Sequence, residues 1–229
     1  MHAAPVASSQ AAPLLAVERL ALGPMKNFVY FLIPQVRGQL AVVDPAWEPN
    51  TLLARAEALQ RPITDILLTH HHADHRNAVE AILARFPARV HVQKTERPWL
   101  KGTGWEADLV LHDSGDTLPL GGGVEARLLH TPGHTPGSQC VLVEGRLLSG
   151  DTLFVDGCGR CDLPGGNPVT MHATLTKVLG SLDGQVRLLP GHDYAPVPDA
   201  TLEEQRQTNP YLKLATVDEF VRFRMRPRK

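Results

Sequence analysis

The chain has 229 residues, 43% of them apolar and 21% charged, with a net charge of −1 at pH 7 and a pI near 6.8. That length suffices for one well-packed domain, or just for two small ones, and the composition is that of a globular protein. The near-neutral charge excludes a long-range field drawing the molecule to nucleic acid or anionic lipid, and no apolar run approaches the ~18 residues of a membrane span.

The first thirteen residues, MHAAPVASSQAAP, read as a flexible tail and carry neither the basic nor the apolar region of a secretory signal. LLAVERLAL and NFVYFLI then read as strands on either side of the turn GPMKN. QLAVVD is a short strand closed by Pro45, and TLLARAEALQ has helical apolar spacing with Asn50 as its expected N-cap. DILLT reads as a buried strand, RNAVEAILARF as a helix and RVHVQ as a strand. The stretch from Lys94 to Gly104, with Trp99 nearby Trp105, reads as loop. ADLVLH, VEARLLH, QCVLVEG and RLLSG are further expected strands; MHATLTKVLGSL is a helix and VRLLPG a last strand. Strands mixed with helices predict an α/β layered fold, and the lack of a linker predicts a single domain over residues 14–229. Three cysteines make no disulfide scaffold, which fits a reducing, cytoplasmic setting.

The densest chemistry lies in LLTHHHADH, residues 67–75, which holds four of the eleven histidines. Imidazoles crowded in this way repel when protonated, whereas a metal ion takes neutral imidazole nitrogen and carboxylate oxygen as ligands. In an extended turn His70 and His72 point the same way and can share one ion; Asp74 and His75 face elsewhere and can reach a second. His71 points away and is expected to be structural. More donors recur just past apolar strands: His134 in HTPGHTPGS, Asp151 in LLSGDTLF and His192 in LLPGHDY. His91, His112, His130 and His172 show no partner pattern. Cys158 and Cys161 form a lone CxxC that reads as loop structure, and the basic end RFRMRPRK reads as a solvated tail.

THHHADH, TPGHTPGS, SGDTLF and PGHDY, in this order, resemble the metallo-β-lactamase fold superfamily, within it the glyoxalase II and persulfide dioxygenase branch. The resemblance implies a four-layer αββα sandwich of two mixed β-sheets flanked by helices, with metals at the sheet edge. It implies that His70, His72 and His134 hold one metal, that Asp74, His75 and His192 hold a second, and that Asp151 bridges them. The implied cofactors are two Zn²⁺ ions, or a mixed Zn/Fe/Mn pair, and the implied chemistry is a metal-bound hydroxide cleaving a thioester, ester or lactone. The alternative is a single Fe²⁺ on a two-histidine, one-carboxylate triad of His70, His134 and Asp151, oxidising glutathione persulfide. A nuclease-type or non-catalytic member of the fold is a third reading, but a nuclease wants a broad basic surface that this composition lacks. The expected partner is a small thiol-derived substrate such as a glutathione conjugate, with neither nucleic acid nor membrane, and with homodimerisation left open. The chain ends too soon for the helical domain with which classical glyoxalase II enzymes bind glutathione. Besides Asp74 and Asp151, Arg160 in the GCGR loop is a candidate carboxylate clamp and Tyr194 a candidate oxyanion donor.

Overall fold

The computed structural model describes residues 13–36 and 39–226. The tail expected at residues 1–13 thus lies, but for Pro13, outside the described residues, as do the last three residues of RFRMRPRK. Two six-stranded mixed sheets face one another. The first takes β1 (Leu15–Leu22), β2 (Asn27–Pro34), β3 (Leu40–Val43), β4 (Ile63–Leu67), β5 (Arg89–Gln93) and β6 (Leu109–His112) in chain order. β1, β2 and β3 run antiparallel; β3 to β6 are parallel, joined by α1 (Pro49–Ala58) and α2 (Val79–Arg85) between the first two pairs. The second sheet is built from β7 (Thr117–Gly121), β8 (Val124–His130), β9 (Gln139–Val143), β10 (Arg146–Gly150), β13 (Arg187–Pro190) and β14 (Ala200–Thr201), with order β14-β13-β10-β9-β8-β7. Between β10 and β13 the chain makes a small hairpin, β11 (Leu153–Phe154) and β12 (Gly157–Cys158), then α3 (Pro168–Ala173). α4 (Leu202–Thr208) and α5 (Val217–Arg224) follow β14.

Alternation along the strands separates three apolar layers, because successive side chains point to opposite faces. Val29, Phe31, Leu40 and Val42 pack with Leu52 and Ile82 of the first helices. Their neighbours Phe28, Tyr30, Leu32, Ala41 and Val43 meet Val124, Ala126, Leu128, Val141 and Leu148 from the other sheet. On the far side Leu129, Cys140, Leu147 and Leu188 pack with Met171, Leu175 and Phe220. Three buried interfaces between helix, sheet, sheet and helix make the expected αββα sandwich. No helix among the described residues is long and apolar enough to cross a membrane.

Several local expectations need correction. Helix α1 starts at Pro49, so Asn50 lies inside it and Glu48 occupies the N-cap position without a side-chain cap bond; proline at the first helical position fixes that start. Lys94–Leu100 is a 3₁₀ helix rather than loop, opened by the Gln93 side chain accepting from Thr95 N–H. The helix expected over 171–182 begins at Pro168, capped by Asn167, then loosens into a π turn over Thr174–Val178. His91 and His112, expected to be unpartnered, join a buried chain: His91 bonds Asp65 and His112, each at 2.8 Å. The basic end is not simply solvated, since Arg224 is only 8% exposed.

Candidate metal centre

Strand ends of both sheets deliver the expected donors to one place. β4 runs into His70, His72, Asp74 and His75; β8, β10 and β13 run into His134, Asp151 and His192. Backbone bonds pin the two edges together, Gln139 N–H donating to Thr69 O (2.8 Å) and Phe28 N–H to Gly191 O (2.8 Å), while Gly191 N–H to Gly150 O (2.9 Å) ties β13 to β10 within the second sheet.

All seven donors converge in two clusters. One ligand atom each from His70, His72 and His134 lies within 4.8 Å of the others, and so do those of Asp74, His75 and His192. Asp151 stands between them. Its Oδ1 is 3.3 Å from His75 Nε2 and 3.4 Å from His192 Nε2, while Oδ2 is 3.5 Å from His134 Nε2. A third grouping, Asp44 with His70 and His75, is better explained as support. Both Asp44 oxygens are already engaged, accepting from Thr69 N–H (2.7 Å), Thr69 Oγ1 (2.6 Å) and His75 Nδ1 (2.9 Å).

The outer partners set the imidazole tautomers. His134 Nδ1 donates to Arg160 O (2.7 Å), His192 Nδ1 to Met25 O (2.9 Å) and His70 Nδ1 to Thr69 Oγ1 (3.0 Å). Each of these rings, and His75 with Asp44 on its Nδ1, thereby turns the other nitrogen inward, as a metal ligand requires. His134 Nε2 comes within 2.9 Å of His72 Nδ1, and His75 Nε2 within 3.1 Å of His192 Nε2. Ring nitrogens facing at such distances repel unless a proton or a metal cation lies between them. His70 Nε2 and Asp151 Oδ1 are buried with no hydrogen-bond partner, which fits the same demand. Burial, reinforced by neighbouring imidazoles, holds His70 well below the usual histidine range and His72 down to about 4; burial likewise lowers His134. Burial would lower His75 too, but Asp151 and Asp44 outweigh it and raise this group well above its usual value. Burial would raise Asp151, yet His75, His192 and His134 hold it well below the carboxylate range. The pocket thus keeps Asp151 ionised and calls for positive charge beside it. The donor set is one that divalent transition metals accept.

Asn27 fixes the second cluster from the side. Its Nδ2 donates to Asp74 O (2.8 Å) and Asp74 Oδ2 (3.1 Å), and its Oδ1 accepts from Trp47 Nε1 (2.7 Å). Neither Asn27 nor Asp44 was marked as functional in the sequence, although Asp44 closes a strand in the manner of the other site residues.

The clusters open into a cavity of about 620 Å³, lined by Met25, Phe154, Leu163, Tyr194, Tyr211 and Arg224 besides the donors. Tyr194 is 56% exposed and stacks on the His192 ring, centroids 4.5 Å apart at 9°. The Arg160 guanidinium is held by Asp162 at 3.0 and 2.8 Å, and its carbonyl, rather than its charge, touches a donor. Arg224 was missed. It donates through Nε to Gly159 O (2.8 Å), sits over the Tyr211 ring, and its buried Nη2 has no hydrogen-bond partner. Phe220 and Arg224, four apart on α5, turn inward together, a helical spacing hidden in a run of basic residues.

The family model described as the metallo-beta-lactamase superfamily matches residues 22–192. The chain is 30% identical over 200 residues to the probable polyketide biosynthesis zinc-dependent hydrolase PksB of Bacillus subtilis, covering 87% of this chain and 88% of the relative. It is 31% identical over 226 residues to the cytoplasmic hydroxyacylglutathione hydrolase of Arabidopsis thaliana, covering 82% and 84%. The crystal structure of ETHE1 from Myxococcus xanthus superposes with a TM-score of 0.82 at 28% identity, over 93% of this chain and 92% of that one. From the matched span, the relatives and the fold together, this chain belongs to the metallo-beta-lactamase superfamily, on the branch shared with the hydroxyacylglutathione hydrolases and ETHE1.

Proposed function

We propose that the protein is a glyoxalase II-like metallo-hydrolase that cleaves a thioester of a small thiol. His70, His72 and His134 would hold one divalent ion and Asp74, His75 and His192 a second, with Asp151 serving both clusters. The observation that carries this reading is Asp151, whose two oxygens face different donor clusters. Zinc is the first candidate metal, by likeness to a relative named as a zinc-dependent hydrolase. When bound, such ions would supply Lewis acidity for a water and for a carbonyl oxygen.

The chain's own residues do the rest. Asp44, Asn27, Met25 O and Arg160 O hold the donors in place, so the geometry is set before substrate arrives. Among the described residues the cavity lining holds no buried carboxyl group beyond the donors themselves, and Tyr194 sits exposed at the mouth. A thiol with pKa near 8.5 leaves with little protonation, whereas an amide nitrogen needs an acid. A thioester therefore suits this pocket better than a β-lactam. Arg224 lines the cavity and has a buried Nη2 without a hydrogen-bond partner, and its charge supports a substrate whose thiol portion carries a carboxylate. Arg224→Gln is accordingly expected to raise KM about tenfold or more for an anionic thioester while changing kcat less, since a charge-assisted contact contributes ~1.5–3 kcal/mol. Equal KM values for wild type and variant would remove Arg224 from substrate binding.

Metal analysis of protein purified under low oxygen without added metal tests the reading as a whole. Two ions per chain, with turnover of thioesters such as acylglutathiones, is the expected result. One iron per chain, with oxygen uptake on a glutathione persulfide and no thioester turnover, overturns it.

A further inference from the structure

Glu96 is 0% exposed although it lies in the polar stretch KTERPWL. Its carboxylate accepts from two separate segments. His71 approaches through Nδ1, the Thr135 hydroxyl donates, and Gly137 N–H donates at 2.7 Å. A Cβ added at Gly137 would fall 2.6 Å from Glu96 Cγ and from its backbone nitrogen, so glycine there lets the turn close directly on the carboxylate. Burial alone would raise the Glu96 carboxyl, but the bonds from His71, Thr135 and Gly137 hold it below the usual range. A buried ionised carboxylate survives only with such a full set of donors.

Both segments carry cluster donors. His71 lies between His70 and His72, and Thr135 follows His134 directly. His71 is pinned on all sides: Trp99 stacks on its ring (centroids 4.8 Å, 13°) and Arg76 Nε donates to its carbonyl (2.6 Å). On the other segment the Thr135 and Ser138 hydroxyls meet at 2.7 Å, and Gly133 N–H donates to Thr135 O (3.1 Å). Glu96 is therefore tied at once to the turn holding His70 and His72 and to the turn holding His134.

We propose that Glu96 is a positioning residue for the His70, His72 and His134 set, clamping its two halves at the spacing that a metal ion needs. The proposal rests on the reading that these three histidines hold a metal. Glu96 itself touches neither ion nor substrate; it acts through His71, Thr135 and Gly137. Buried partners of this kind typically change metal affinity by ~10–100-fold when altered.

Cobalt(II) titrated into the chelator-treated full chain, read by its visible absorption bands and by competition with a chelator, tests this. His72→Ala marks the binding step that belongs to the first set. Glu96→Gln keeps the volume but loses the charge and is expected to weaken that step ~10–100-fold and shift its bands, leaving the other step unchanged. Thr135→Val removes a single donor and is expected to give the same pattern, more weakly. Wild-type affinity and bands at the marked step in both variants, or equal losses at both steps, overturn the proposal. If Glu96→Gln does not fold, Thr135→Val decides alone. The wild-type titration counts the ions by itself: a single step would reject the two-ion reading, while the ratio of variant to wild type on the marked step still reports on Glu96.

Discussion

Replacing Asp151 by alanine is expected to leave a folded chain that retains at most one metal ion and loses ~10³-fold or more in kcat/KM, about 4 kcal/mol of transition-state stabilisation at 1.36 kcal/mol per decade. Asp44, which lies near His70 and His75, has both oxygens engaged by Thr69 and His75 and cannot take its place. The fold should survive because the layers on either side are built from apolar side chains, to which Asp151 does not belong. Loss of the carboxylate also leaves His75 with Asp44 as its principal anionic partner, so His75 gives up its excess basicity instead of standing as an unpaired buried charge. Asp151→Asn is the finer variant. It preserves shape and one acceptor, and it should empty the cluster that the amide nitrogen faces while the other keeps its ion. Metal content and thioester turnover, measured on the same preparation, check both variants. Two ions at full occupancy in Asp151→Ala would remove the bridging role.

The donors were legible in the sequence because each follows an apolar strand within a few residues, where period-2 burial fixes the strand end and hence the side chain. His134, Asp151 and His192 come from three different strands of one sheet, and only the resemblance sorts them between two metals; the structure adds the distances. Their supports were not legible. Asp44 reaches His75 and Thr69 across 31 and 25 residues, contacts set by the parallel pairing of β3 with β4. Glu96 sits beside Pro98 and among charged residues, a pattern that reads as loop, and only the 3₁₀ turn buries it. β7 was hidden because Pro119 and the run of three glycines after Leu120 argue against a strand, although Leu118 and Leu120 alternate inward. The His91–His112 contact depends on β5–β6 register, which no single-strand pattern reveals. The helix α5 shows the same limit in charge: five of the last eight residues are basic, and nothing in that composition marks Arg224 as the one turned inward.

The supports also define where the fold tolerates least, and Gly150 is the sharpest case. It ends β10 immediately before Asp151, with φ +49°, a left-handed conformation that costs a side-chain-bearing residue ~1–2 kcal/mol. A Cβ there would lie 2.1 Å from Thr69 Oγ1 and 2.5 Å from Thr69 Cβ. Thr69 cannot step aside, because it is buried and its hydroxyl links Asp44 (2.6 Å) to His70 (3.0 Å). Overpacking of a tight core adds ~1–3 kcal/mol, and breaking the buried Thr69–Asp44 bond adds ~1–3 kcal/mol more. Gly150→Ala is therefore expected to destabilise the chain by ~3–8 kcal/mol, a large share of a typical 5–15 kcal/mol, and to lower Tm by roughly 10–30 °C. The displaced hydroxyl also releases His70, so any folded fraction should bind its first ion weakly. A second substitution separates the two effects. Thr69→Gly added to Gly150→Ala clears the collision and should recover only the overpacking part of the loss in melting temperature, since the backbone strain and the missing Thr69–Asp44 bond remain, and it leaves His70 Nδ1 without its acceptor, so metal affinity at the first cluster should stay low. Thermal unfolding and cobalt(II) titration of the single and double variants check this together. Recovery of both stability and affinity in the double variant would show that Thr69 only fills space, and that the Asp44–Thr69–His70 chain does not hold the ligand.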